Sequence, residues 1–202
     1  MAESSSSVPT DEELMAQYVL GNSSALSEIF KRYGTLLMRV MMRGGYSEAD
    51  ANDMVQQAFL QLHRARHDFR PSARLKPWLF TIALNVKRQL IRSRKRRPES
   101  PLEMEGGGEP SVDAHDPVMM ERRRLVRKAL LQLPDAQREV IELHWLAGMT
   151  FPEVAEIVGA SVSAVKVRAH RGYGRLKDAL KALGISNAEL VNLIPFFIIE
   201  PN

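Results

Sequence analysis

The sequence predicts an all-α protein of two small helical domains joined by a flexible acidic linker, and three observations carry that prediction. Apolar residues recur at helical spacing through most of the chain, a proline- and glycine-rich segment interrupts the pattern near the middle, and charge is segregated around the interruption. At 202 residues the chain has room for one large or two small domains, since domains commonly run to roughly 100 to 200 residues. Hydrophobic residues make up 45% and charged residues 26%, a balance that can bury a core.

Residues 1–10 are Ser-rich, lack periodicity and read as a disordered tail. Four helices are expected next, over Asp11 to Leu20, Ala25 to Met42, Glu48 to Arg66 and Pro77 to Arg96, with breaks at Gly21, Gly44 with Gly45, and Pro71. In the third, Met54, Val55, Ala58, Phe59 and Leu62 form one apolar stripe and leave Asp53, Gln56, Gln57 and Arg64 on the other side. These elements make a first domain over 11–97. Residues 98–117 hold four prolines, three consecutive glycines and few large apolar groups, too little to offset the entropy of folding, and read as a linker. A second helical domain covers 118–183. In the extension over 184–202, the apolar run Leu190 to Ile199 is too short to span a bilayer and is expected to pack on the protein itself, with partner binding as the alternative.

The second domain carries helix-turn-helix punctuation. Leu133 and Pro134 open a supporting helix, with Pro134 in the first turn and Gly148 placed to end it. Thr150 and Glu153 have the spacing of a capping box, so a short helix starts at Phe151 and ends near Gly159. Ser161 can cap a further helix from Val162 to about Leu183, after a turn of about three residues. On a helical wheel Val162, Val165, Ala169, Gly172 and Leu176 share one side. Ser163, Val167, Arg171 and Gly174 lie opposite, flanked by Arg168, His170 and Arg175. A small, basic outer face of this kind can enter a DNA major groove about 12 Å wide, with Arg able to bond guanine edges and Lys or Ser able to anchor phosphates.

Charge and composition narrow the function. The net charge of +4 is modest, but Arg64 to Arg97 holds twelve Lys or Arg residues against the single acid Asp68, and Pro98 to Pro117 holds six acids and no Lys or Arg. Such a distribution suits a polyanionic partner. No cysteine is present, which excludes disulfides, thiolate metal sites and cysteine nucleophiles. The five His residues are scattered and Gly106, Gly107 and Gly108 lie in the linker. No metal site, no cofactor and no enzymatic activity are therefore expected. No stretch is long and apolar enough for a membrane span, so a cytoplasmic protein without direct membrane insertion is expected.

Three sets of residues carry a resemblance to the sigma-70 family of RNA polymerase sigma factors, in its extracytoplasmic function (ECF) branch. Leu133-Pro134, Glu153-Val154-Ala155 and Val162 through Arg171 to Arg175-Leu176 are similar to that branch's region 4; Asp53 to Phe59 resembles region 2.2; and Pro77 to Ala83 with Asn85 resembles regions 2.3 and 2.4. The resemblance covers about Asp11 to Leu183. It implies that the first domain is sigma region 2 and the second sigma region 4. The recognition helix would read the minus-35 element through Ser163, Lys166, Arg168, His170, Arg171 and Arg175. Region 2.2 would dock on the β′ clamp helices of core RNA polymerase through Asp53, Gln56, Gln57 and Arg64, with the β flap as a further polymerase contact.

Regions 2.3 and 2.4 open the minus-10 element in that family, and single strands are held by cations along the backbone and by surfaces for unstacked bases. Phe69, Arg70, Arg74 and Lys76 of a basic loop, with Asn85, Arg88 and Arg92 along the next helix, are expected to line the strand's path. Trp78, beside Leu79, Phe80 and Ile82, reads as core, and the cations of Arg92 to Arg97 are expected to grip phosphates. The six acids of the linker would imitate nucleic acid in a basic polymerase channel, with a plain solvated tether as the alternative. An anti-sigma factor is implied as a further partner by resemblance alone.

Two departures from the family pattern stand out. His63 occupies a position where the family commonly has Trp. Gly172 and Gly174 cost roughly 1 kcal/mol each relative to Ala, so the recognition helix is expected to fray beyond Arg171. The reading that follows is a non-enzymatic sigma factor that carries core polymerase to a promoter and helps melt it. A conventional helix-turn-helix regulator and a sigma-like decoy that sequesters an anti-sigma protein are the rival readings.

Overall fold

The computed structural model describes residues 8–43, 46–96 and 117–186, and every described element is helical. The first unit comprises α1 (Asp11–Val19), α2 (Ser23–Arg43), α3 (Glu48–Arg64), a single 3-10 turn (Arg66–Asp68) and α4 (Leu75–Arg96). The second comprises α5 (Pro117–Leu131), α6 (Asp135–Ile141) continuing into a π turn (Glu142–Leu146), α7 (Phe151–Val158) and α8 (Val162–Ala182). The all-α, two-unit architecture is as expected. The acidic linker, apart from Pro117, and the apolar run after Leu190 lie outside the described residues.

Local chemistry sets most boundaries. Thr10 caps α1 in a reciprocal box: its backbone N–H donates to Glu13 Oε2 at 2.7 Å, and its hydroxyl accepts from the Glu13 N–H at 3.2 Å. Arg32 of α2 donates to the Pro9 carbonyl and pairs with Asp11 at 2.8 Å. Pro9 and Thr10, read from the sequence as part of the tail, are thus anchored, and residues 1–7 lie outside the described residues. Helix α4 begins two residues before Pro77, which is tolerated because first-turn amides have no intrahelical acceptor. Its Leu75 N–H donates to Glu12 Oε1 at 3.0 Å. Pro134 is the cap of α6 and lies just outside its first turn. At the far end, Ile185 is buried beside Leu130, Leu133 and Leu180, so the start of the extension belongs to the core of the second unit.

The two units are in contact. Helix α4 packs against α7, and α2 against the π turn. One apolar core runs from Leu37, Met54 and Leu79 through to Leu143, Val154 and Val165. Where Phe80, Ala83 and Leu84 meet Leu143, the units leave a gap of only about 20 Å3. Among the described residues three ion pairs cross this junction: Lys87–Glu142 at 2.5 Å, Arg88–Glu139 at 2.8 Å and Arg74–Glu153 at 3.1 Å.

The expectation that α8 frays at its glycines is corrected by tertiary packing. The helix runs unbroken through Gly172 and Gly174 to Ala182. Gly172 is buried against α6, where an added Cβ would stand 2.8 Å from Ile141 Cδ1 and 3.3 Å from Gln137 Cβ. Glycine is therefore what lets α8 approach α6 closely. A Cβ at Gly174 would meet nothing.

Two stability measurements follow from these contacts. Gly174→Ala is expected to raise stability by about 0.5–1 kcal/mol through helix propensity alone. Gly172→Ala should fall clearly below it in a denaturant titration, because fully buried Ile141 has to give way; equal gains would contradict the close-approach account. Glu153 supplies the second. Burial alone would raise its carboxyl, but hydrogen bonds from the Thr150 backbone and hydroxyl, with Arg74 and Lys76 nearby, bring it below the ordinary 4.5. A carboxyl lowered in the folded state stabilises above its unfolded value, and that contribution is lost as pH falls through the folded one. The stability gap between the wild type and Glu153→Gln should therefore be full above about pH 4.5 and close on further acidification.

Candidate nucleic-acid and polymerase interfaces

Helix α7 starts from a capping box in which the Thr150 N–H donates to Glu153 Oε2 at 2.8 Å. It ends on Gly159, whose φ of +66° is the left-handed conformation that glycine adopts without steric cost. Ser161 Oγ then accepts from the Ala164 N–H at 3.2 Å and starts α8. Two helices and a three-residue turn are thus defined by local hydrogen bonds, as a helix-turn-helix requires.

Val165, Ala169, Gly172 and Leu176 bury the inner side of α8, while Ser163, Lys166, His170, Arg171 and Arg175 are exposed and Arg168 is half-buried. None of these outer cations is taken up by an ion pair within the described residues. Val162 is a correction to the wheel: at the first turn it is 38% exposed and lies off the core side. Val167, 48% exposed, stands among the cations, and an apolar side chain there suits a thymine methyl in a major groove.

On α3, Asp53, Gln56, Gln57 and Arg64 are all exposed and lie along one face. The structure adds Leu60, 38% exposed at the centre of that face, and Phe30 of α2, 48% exposed with its ring 4.8 Å from Phe59. Sequence reasoning named neither, although the spacing of Leu60 from Gln56, Gln57 and Arg64 already places it on that face. His63 is exposed, and its Nδ1 shares a hydrogen bond with the Tyr18 hydroxyl, so the polar ring joins α3 to α1 in place of an apolar contact.

The expected strand-binding residues are divided. Arg70, Asn85 and Arg92 are exposed and Lys76 half-buried. Phe69 packs against Trp78, with ring centroids 5.1 Å apart in an edge-on arrangement, and both are partly buried on the core. Trp78, expected in the core, sits at its margin, and Phe69 is its packing partner. Arg74 is paired with Glu153, and Arg88 is gripped by Glu139 through Nε at 3.1 Å and Nη2 at 2.8 Å. The hydrogen bond that Arg88 donates to Glu139 raises its guanidinium above the ordinary value. The side chains of Arg94 to Arg97 lie outside the described residues. Among the described residues no His, Asp or Glu cluster could hold a metal ion, and no helix is long and apolar enough to cross a membrane.

Comparison with known proteins agrees with this geometry. Residues 29–97 match the family model for sigma-70 region 2, and residues 123–176 match that for sigma-70 region 4. The chain is similar to the RNA polymerase sigma factor CnrH of Cupriavidus metallidurans, with 35% identity covering 85% of this chain and 95% of the relative. It is similar to CarQ of Myxococcus xanthus at 32% identity, covering 86% and 99%, and to the ECF sigma factor SigM of Mycobacterium tuberculosis at 30%, covering 85% of each. Among solved structures, CnrH in complex with the cytosolic domain of CnrY aligns with a TM-score of 0.68 at 32% identity, covering 85% of this chain and 97% of that one. The sigma factor RpoE in complex with the anti-sigma factor NepR from Bartonella quintana aligns with a TM-score of 0.59 at 26% identity, covering 76% and 98%. With both sigma regions matched in order and relatives similar over nearly their whole length, the chain belongs to the sigma-70 family of RNA polymerase sigma factors, in the extracytoplasmic function branch.

Proposed function

We propose that this protein acts in the cytoplasm as a non-enzymatic initiation factor that docks on core RNA polymerase, reads the minus-35 element with α8 and holds the opened minus-10 strand along α4. The observation that carries the reading is the unpaired basic outer face of α8, held on a capped helix-turn-helix in the same chain as an exposed α3 face with an apolar centre. Base edges are read by Arg and by small or apolar side chains, and backbone phosphates by Lys and Ser. The face of Asp53, Gln56, Gln57, Leu60 and Arg64 has the composition of a protein-binding patch, an apolar centre with a polar rim. It is assigned to the β′ clamp helices, with the β flap as the second polymerase contact. An anti-sigma factor is proposed as a further partner, supported by a solved relative in complex with one.

Promoter DNA selected by the reconstituted holoenzyme gives the test. Thymines near the minus-10 element should become reactive to permanganate only when both this protein and core polymerase are present, and reactivity without this protein would contradict the reading. Leu60→Asp should weaken binding to core polymerase by at least about tenfold, since burying such a side chain typically contributes about 1.5–3 kcal/mol. Arg171→Ala should leave core binding intact and reduce promoter discrimination by about 1–3 kcal/mol, the usual scale of a base-edge contact.

A further inference from the structure

We propose that Val167 reads a thymine of the promoter duplex by packing against its C5 methyl group, and so sets part of the minus-35 preference. The inference rests on the proposed entry of α8 into the major groove, and it gives a base to a side chain with neither charge nor hydrogen-bonding group. Val167 is 48% exposed, and Val162 is the other exposed large apolar residue of the second unit among the described residues. At about 100° per residue the two lie about 140° apart around the helix, so a groove that receives Val167 leaves Val162 at its side. Ser163 and Arg171 stand one turn before and one turn after Val167, Lys166 and His170 stand beside it, and all four are exposed. An apolar side chain is thus set among polar and cationic ones on the face turned away from Val165, Ala169 and Leu176.

Folding gives no reason for valine at this position. Val167 belongs to neither apolar core cluster, and at an exposed helical site a β-branched residue forms helix less readily than Ala, Lys or Glu. It cannot bond a phosphate. What it offers is a rigid apolar surface, since a helical valine has one strongly preferred rotamer and loses little freedom on contact. Of the groups that base pairs present in the major groove, the thymine methyl is the apolar one. A short side chain reaches it only if the helix lies close. The turn before Val167 carries the small Ser163 and Ala164, and at Gly174, beyond Arg171, an added Cβ would meet nothing in the protein. Val167 and Arg171 are about 6 Å apart along the helix, less than two of the roughly 3.4 Å steps of the duplex. The thymine therefore lies within about two base pairs of the base that Arg171 reads.

Deoxyuridine isolates the contact, because it differs from thymidine only in lacking the methyl. In the promoter selected by the reconstituted holoenzyme, each thymine of the minus-35 element on either strand is replaced singly by uracil, and binding by wild-type and Val167→Ser holoenzymes is measured. With the wild type, one replacement should weaken binding about fourfold, the scale of one buried methyl group. That thymine should lie within about two base pairs of the position at which Arg171→Ala loses discrimination. The Val167→Ser holoenzyme should bind the thymine and uracil promoters equally, with its circular dichroism and core affinity unchanged. Uracil tolerated at every position by a wild type that Arg171→Ala still impairs overturns the methyl contact and leaves duplex reading by α8 standing. A uracil penalty undiminished in Val167→Ser overturns it too, since another residue then holds the methyl. Indifference to both uracil and Arg171→Ala sinks the reading of α8 as the duplex-binding helix, and this contact with it.

Discussion

An ammonium group that is almost out of contact with solvent constrains everything packed around it, and Lys87 is in that position. Glu142 is the charge that makes its burial tolerable. Removing one member of such a pair typically costs about 3–5 kcal/mol, because the other is left uncompensated, whereas an apolar replacement of both is often neutral. The pair therefore adds little net stability but fixes how α4 sits on α6 and the π turn. A slip of one residue in either helix would leave two buried charges without partners. The neighbouring pair, Arg88 with Glu139, reinforces that register. The apolar contacts of Phe80, Ala83 and Leu84 with Leu143 then supply the non-directional part of the junction.

What could be read from the sequence was what is decided within a few residues. The capping box at Thr150, the left-handed Gly159 and the Ser161 cap all involve partners at most four positions away, so spacing alone identifies the helix-turn-helix. The polar face of α3 was legible for the same reason. The cross-unit pairs were not. Their members are 51, 55 and 79 residues apart, and no local pattern connects Arg88 with Glu139 rather than with a phosphate. Gly172 failed in a related way, since its helix-propensity cost is local while its close approach to Ile141 is tertiary. Leu60 was legible as well, since its spacing from Gln56, Gln57 and Arg64 places it on the polar face, whereas the exposure of Phe30 depends on what covers α2.

The two proposed nucleic-acid surfaces differ in availability. On α8 the cations point outward and are unpaired, a face ready to meet duplex DNA. On α4 and the loop before it, Arg74 and Arg88 are engaged by carboxylates of the other unit while Arg70, Asn85 and Arg92 remain open. The α3 face proposed for polymerase docking is likewise exposed.

Run-off transcription from a single promoter with purified core RNA polymerase tests the central claim most directly. The account predicts transcripts of one defined length that appear only when this protein is added. A verified promoter and an active core that yield no specific transcript with it would contradict the account.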